Sequence, residues 1–537
     1  MLYLYVMQIH RLPHTTTQRL PDLASRVVSA DPALAGFYRP FANQPDAVHV
    51  QQKEKRFTAQ QRLTLKEVLT AQYKHISNAP TNQFESLLSS KTFTITTGHQ
   101  LNLFTGPLYF LYKIIDVIKI ANQWNALQDG NTYVPVYWMA SEDHDFKEIN
   151  HFSVNGQTIH WSRQQHGPVG RLSTEGLDQV LKVWKQHLGD RPHAEELQDL
   201  FAQSYVAHSN LADATRYLVH QLFGRYGLVI IDGDTPRLKK EFVPYLQREC
   251  EEELIQKGSQ TTVEKLNNAL QTKIKVQVNP RNINLFYMGE SGRQRIEKTT
   301  TGYGVVDTVI SFSKKELIKE IKSHPERFSP NALFRPIYQE LVLPNLVTVG
   351  GGSELAYWLQ LSEVFASFDL PMPMLKLRSS VLLISDKQQQ KLKKLDITVA
   401  DLFLPTNEMI NRRVRQISNI DIDLGEFKAH LDQQFGALYA LAQQTDASFL
   451  GAVEAQEKKQ KKGIDRLEKR LLKAQRIKLV DHVDRLTELQ QQLFPMGDLQ
   501  ERRVNFAEFV LQFGDDFIPF LMKHIDPNEK DFMCFSL

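Results

Sequence analysis

The stretch TFTITTGHQLNLFTGPLYFLYKIIDVIKIA, Thr92 to Ala121, decides the fold class. TFTITT is β-branched and aromatic, the composition of a buried strand, and LYFLYKIIDVIKIANQW is a helix apolar over most of its surface. TYVPVYWMA (132–140) repeats the buried-strand pattern. Strand, helix and strand in succession predict a parallel sheet covered by helices. The turn between the first strand and its helix carries Gly98, His99, Gln100, Asn102, Thr105 and Gly106. Small and hydrogen-bonding residues at that place need an explanation, because ligands of parallel α/β sheets bind beyond the carboxyl ends of the strands.

Outward from this unit, residues 15–90 read mostly as helix, and MLYLYVMQIHRLPH at the start reads as a strand or extended arm. INHFSVNG and TIHWSR are short strands within a polar insertion. LVIID (228–232) follows a helix that ends at Phe223. KIKVQVN and INLFYMG are short β pieces, and GESGRQR (289–295) is a hairpin turn. PNLVTVGGGSELAYWLQLSEVFASF (344–368) is another strand, glycine turn and helix, and PMPMLKLRSSVLLI (371–384) reads as a final strand. The expected architecture is an α/β parallel-sheet core over 1–384, with insertions near 151–210 and 235–335. From 385 to 493 Lys, Gln, Glu and Leu dominate. Leu424, Leu431 and Leu438 repeat by sevens, as do Ile464 with Leu471 and Leu479 with Leu486 and Leu493, the pattern of a helical coiled coil. Residues 494–537 are expected to be helical and to pack back on the core.

Composition narrows the function. A net charge of +3 over 537 residues is no polyelectrolyte footprint and argues against nucleic acid as a partner. The apolar run at the amino terminus is too short for a membrane span. Cys250 and Cys534 cannot build a disulfide framework, which favours a cytoplasmic setting.

Several segments could carry chemistry. Thr97, Gly98 and Gly106 allow close backbone approach of a phosphate or carboxylate at a helix start. Beside them His99, Gln100, Asn102 and Thr105 can hydrogen-bond a ligand, and Lys113 adds charge if it reaches the site. WMASEDHDFKEINHF (138–152) sets Ser141, Glu142, Asp143, His144, Asp145 and Glu148 at the same sheet edge. That cluster could take a proton from an amine, bind a divalent metal, or simply cap a helix. No HExxH or paired-Cys motif compels a metal. Gly350, Gly351 and Gly352 with Ser353 as N-cap and Glu354 form a second cradle. Arg335 suits carboxylate recognition, with Gln339 on the same helical turn. Lys376, Arg378 and Ser379, met by Arg502, could form a second anion site. A metal-dependent hydrolase using EDHD, or a non-catalytic coiled-coil scaffold with a nucleotide-binding body, would use the same residues differently.

Together, TGHQLNLFTGPLYFLYKIID, YWMASEDHDFKEINH, SPNALFRPIYQELVLPN, VGGGSELAYWLQL and LQERRVNF resemble, in this order, the cysteine-adding enzymes of bacillithiol biosynthesis. The resemblance implies a Rossmann-like core with inserted segments and a coiled coil that joins two subunits as a homodimer. It implies addition of cysteine to the amino group of glucosaminyl-malate, with ATP as the expected activating co-substrate. In that reading His99, Asp143, His144 and Asp145 are the acid–base residues. Ser141, Glu142, Arg335, Gln339, Ser353 and Glu354 would hold substrate, and the glycines would hold phosphate. TGHQ and VGGGSE stand where the family pattern has TGQQ and VGGPGE, so the role of His99 has to be tested.

Overall fold

A computed structural model describes residues 8–43, 45–164, 166–290 and 292–537. The first seven residues of the expected amino-terminal strand, and Ser291 in the GESGRQR turn, lie outside the described residues.

The main sheet has six parallel strands, numbered here β1 (Arg39–Pro40), β2 (Thr92–His99), β3 (Thr132–Met139), β4 (Val229–Asp232), β5 (Asn345–Gly350) and β6 (Met374–Leu377). Their spatial order is β1-β6-β5-β2-β3-β4, every neighbouring pair parallel. The chain therefore runs from β2 toward β3 on one side, and from β5 toward β6 on the other. The gap between β2 and β5 is the switch point where a parallel sheet opens a crevice. β2, β3 and β5 are buried along almost their whole length, as both faces of a parallel sheet must be. Inside the sheet the Thr94 and Thr96 hydroxyls donate to Asn345 Oδ1, so these buried polar side chains satisfy each other.

Helix α1 (Tyr109–Asn125) crosses from β2 to β3 and is buried on nearly every side. Two polar residues inside it are anchored. Lys113 reaches back to the sheet edge, and Asp116 accepts from the backbone N–H and hydroxyl of Ser379.

Two insertions rise above the carboxyl edge. Between β3 and β4 stands the hairpin His151–Val154/Gln157–His160 with its helices. Between β4 and β5 two long helices lead into a five-stranded antiparallel sheet that holds Leu285–Gly289 and Gly292–Lys298. KIKVQVN forms no strand there. The segment PMPMLKLRSSVLLI is two strands, not one. Val381–Ile384 leaves the main sheet and joins Phe532–Ser536 and Gln8–Leu12 in a separate three-stranded sheet. The carboxyl-terminal segment thus ends in a strand buried on both faces, with Met533 and Phe535 in the main core and Phe532 and Cys534 in a second cluster.

Beyond Ile384, short helices lead into a hairpin of α2 (Gly425–Ala442) and α3 (Ala447–Lys478). Its seam is Leu431, Phe435, Tyr439 and Ala442 against Val453. Leu438, the third leucine of the sequence heptad, faces solvent, as do Phe427 and Leu441. The seam steps by four, four and three residues and so leaves the 424–431–438 heptad after Leu431. Among the described residues, no helix is long and apolar enough to cross a membrane.

Candidate functional site

Strands β2, β3 and β5 end under a cavity of about 1770 Å³, roofed by both insertions and by the segment around Arg502. The turn after β2 is held from outside. Phe104, Thr105 and Gly106 all have positive φ (49°, 67° and 64°), unusual for Phe and Thr. Asn505 pays for this strain by donating to the carbonyls of Phe104 (2.7 Å) and Gly106 (2.6 Å). Gly106 is required, since a Cβ there would lie 2.7 Å from that of Asn102. Asn505→Ala would leave two buried carbonyls without partners, so we expect a loss of about 2–4 kcal/mol, read as a lower urea midpoint. An unchanged midpoint would show that the turn holds itself.

His99 packs against the rings of Tyr109 and Phe110, and its Nε2 is buried with no partner. Burial, then the cations of Lys113 and Arg378, holds its pKa well below 6.5, so the ring is neutral. Asn102 Oδ1 is likewise buried and unpartnered. Both side chains lie on the cavity wall. Gln100 donates to Asp143 Oδ2 (2.7 Å) and Glu148 Oε2 (2.8 Å), tying the β2 turn to the acidic cluster after β3. Asp143 Oδ1 accepts from the backbone N–H of His144 at 2.7 Å. His144 Nδ1 lies 2.9 Å from Arg293 Nη1. Glu142 pairs with the buried Lys239.

On the other side of the switch point, Lys113 donates to the Gly98 carbonyl (2.8 Å) and to Glu354 Oε1 (2.7 Å). Glu354 Oε2 accepts from the Gly351 N–H at 2.7 Å. Gly350, Gly351 and Gly352 line the cavity with Ser353, while Arg335 stands over Gly98 and donates to Gln339 Oε1.

Several expectations need correction. Thr97 is a ladder residue whose hydroxyl donates to the Val349 carbonyl, and Thr105, its buried hydroxyl without a partner, does not line the cavity. The backbone N–H groups of Phe104, Gly106 and Leu108 are already donated to Tyr205, Leu103 and Val504, so the first turn is no open phosphate cradle. Ser141 lies behind the wall and donates to Asp232. Asp145 is exposed and off the wall. Gln339 is wholly buried and positions Arg335 instead of meeting a ligand. Gly351, not Ser353, caps the helix, and Glu354 is committed to that cap and to Lys113. Of the second anion site, Lys376 and Ser379 are spent on Asp116. Arg378, bound to Glu501, and Arg502 line the cavity. Within EDHD, Glu142 turns to Lys239, Asp143 to Gln100 and His144 to Arg293, and no group of three or more His, Cys, Asp or Glu suited to a metal occurs among the described residues. Sequence reasoning missed Arg293 and Asn505; each lay within a motif it had marked, GESGRQR and LQERRVNF.

Burial and Asp234 push the Asp232 carboxyl from 3.8 up to about 6. The folded state thus holds this proton more tightly than the unfolded chain. The resulting stability is complete below about pH 4 and is lost as pH rises through about 6. Asp232→Asn keeps the acceptor for Ser141 and should remove that loss. Denaturation midpoints at about pH 4.5 and pH 7 should diverge less in the variant than in the wild type. Equal divergence in both would contradict the assignment.

A Rossmann-like parallel sheet with its crevice at the switch point, carrying a helical coiled-coil unit, is the class that fold and site define. The sequence matches "Bacillithiol biosynthesis BshC, N-terminal Rossmann-like domain" over residues 7–379 and the coiled-coil domain of the same family over 381–537. The chain belongs to the bacillithiol biosynthesis BshC family. It is 45% identical to a protein of Christiangramia forsetii over 98% of both chains, and 47% identical to one of Flavobacterium johnsoniae over 91% of this chain and 92% of that one. A Bacillus mycoides relative is 30% identical over 82% and 84%. All three are described as "Putative cysteine ligase BshC".

Proposed function

We propose that the chain joins cysteine to the amino group of glucosaminyl-malate through an amide bond, using ATP to activate the cysteine carboxyl. A carboxylate and an amine do not condense unaided near neutral pH. The carboxylate oxygen must first be bonded to phosphorus, with pyrophosphate or ADP leaving. The amine nitrogen then attacks the carbonyl carbon, loses a proton, and expels AMP or phosphate.

The observation that carries this reading is the meeting of unlike groups on one wall. Neutral His99 and Asn102 present buried, unpartnered polar atoms, and Asp143 stands across Gln100 from them. Polar atoms buried without partners are costly and mark a place where a ligand completes the hydrogen bonding. Arg335 and Arg502 supply cations toward the same space, suited to carboxylate or phosphate oxygens. Asp143 is the base in this reading. It is held at both oxygens and remains partly open to the cavity. The two cysteine side chains are buried and free, and neither lines the cavity. The setting is the cytoplasm, where such thiols stay reduced.

Purified protein with cysteine, glucosaminyl-malate and ATP should yield a condensed thiol with AMP or ADP, detected by mass spectrometry. Intact substrates after prolonged incubation would overturn the reading. Phe427, Leu438 and Leu441 leave an apolar face on α2, and we assign it to a second copy of the chain. Light scattering should give twice the 61.9 kDa chain mass, and Leu438→Glu with Leu441→Glu should return the single-chain mass. A single-chain mass for the wild type would contradict the dimer.

A further inference from the structure

Arg293 comes from the antiparallel insertion, far from the sheet edge in sequence, yet its guanidinium is buried against the site. Its Nε donates to Ser329 Oγ at 3.0 Å and its Nη2 to the Pro330 carbonyl at 2.8 Å. The plane lies over the Phe286 ring, 3.8 Å from the centroid. With these anchors the guanidinium cannot swing away, and its remaining nitrogen, Nη1, meets His144 Nδ1 at 2.9 Å. Guanidinium nitrogens only donate. His144 Nδ1 must therefore accept, which leaves the ring proton of the neutral imidazole on Nε2.

We propose that Arg293 is a positioning residue that locks His144 in its Nε2–H tautomer, making His144 a hydrogen-bond donor to a carbonyl or phosphoryl oxygen of the bound substrate. The ring then has no free lone pair toward the cavity. His144 cannot take the amine proton, and Asp143 beside it is left as the acceptor. This assignment deepens the amide-forming reading and rests on it for the identity of the oxygen, but the tautomer itself stands on the geometry alone.

The surroundings of His144 agree. Burial and the Arg293 cation lower its pKa, opposed by the carboxylates of Asp143 and Asp145. Protonation at Nδ1 would break the bond to Arg293 and set two cations together. Phe286, packed on the ring, brings no charge, while Asp143 Oδ1 lies 3.7 Å from Nδ1, farther than Arg293 Nη1 at 2.9 Å.

The test is nitrogen-15 NMR of the full-length protein labelled at histidine, with the His144 signal assigned by its absence in His144→Gln. The wild type should show a pyrrole-like Nε2 and a pyridine-like Nδ1, and stay so as pH falls below the ordinary histidine value of about 6.5. The opposite tautomer, or protonation at or above that value, overturns the proposal whether or not the ligase reaction is ever detected. Arg293→Met should raise the titration midpoint and mix the two tautomers. If that variant folds and the signal does not move, Arg293 does not set the ring. If it fails to fold, the wild-type spectrum still decides. A correct tautomer together with no condensation product would retain Arg293 as the positioning group and discard the amide-forming reading.

Discussion

Asp143→Asn is expected to slow amide formation by about a hundred- to ten-thousand-fold, the usual contribution of a positioned proton acceptor. Asn keeps the size of the side chain and can still accept from the His144 backbone N–H, so the turn should survive. What is lost is the carboxylate that takes the amine proton when nitrogen attacks the activated carbonyl. The Gln100 amide, which bridges Asp143 and Glu148, would keep its second partner. Asp145→Asn is the matched control. It changes the same charge two residues away but off the cavity wall, and should leave the rate unchanged. Single-turnover measurements under saturating substrates would separate the chemical step from binding. Equal rates for Asp143→Asn and the wild type would remove Asp143 from the mechanism.

Arg378→Met is expected to destabilise the fold by about 3–5 kcal/mol, the cost of stranding one partner of a buried ion pair. Arg378 Nη2 donates to Glu501 Oε1 at 2.6 Å, and the two side chains are 7% and 1% exposed. Glu501 Oε2 also accepts from the Val381 N–H. The pair thus joins the end of β6, the three-stranded sheet and the carboxyl-terminal segment in one place. Removing the arginine leaves a carboxylate with one backbone partner and no countercharge. The double variant Arg378→Met with Glu501→Leu should recover a large part of the loss, since a well-packed apolar pair can replace a buried ionic one. Urea midpoints for the single and double variants decide it. A single variant as stable as the wild type would mean that the pair holds nothing together.

The parallel core was legible because β2, α1 and β3 carry unbroken apolar patterns ending in polar turns. Those turns share an edge as a consequence of parallel pairing, so the meeting of 98–102 with 142–148 and 350–354 followed from topology. Lys113 was legible only as a condition: about one turn of helix separates its charge from the sheet edge unless it points backward along the helix, as it does. Gln339, Ser141 and Thr97 misled because their residue types serve equally well inside a buried polar network, and sequence does not say which way a side chain turns. Arg293 was hidden for a different reason. An isolated hairpin arginine has no periodicity, and its importance comes from an insertion folding over the edge. The break between Leu377 and Val381 was masked by continuous apolar character on both sides of RSS. In the coiled coil the heptad signal was real, but the hairpin contact uses Leu431, Phe435 and Tyr439, leaving Leu438 for another surface.

The most direct measurement is a crystal structure of the chain with glucosaminyl-malate bound. The account predicts the sugar's amino nitrogen within about 3.2 Å of an Asp143 carboxylate oxygen, between the ends of β2 and β5. It also predicts a substrate oxygen facing His144 Nε2. A ligand seated on another surface, or in the same cavity with its amine turned away from Asp143, would contradict it.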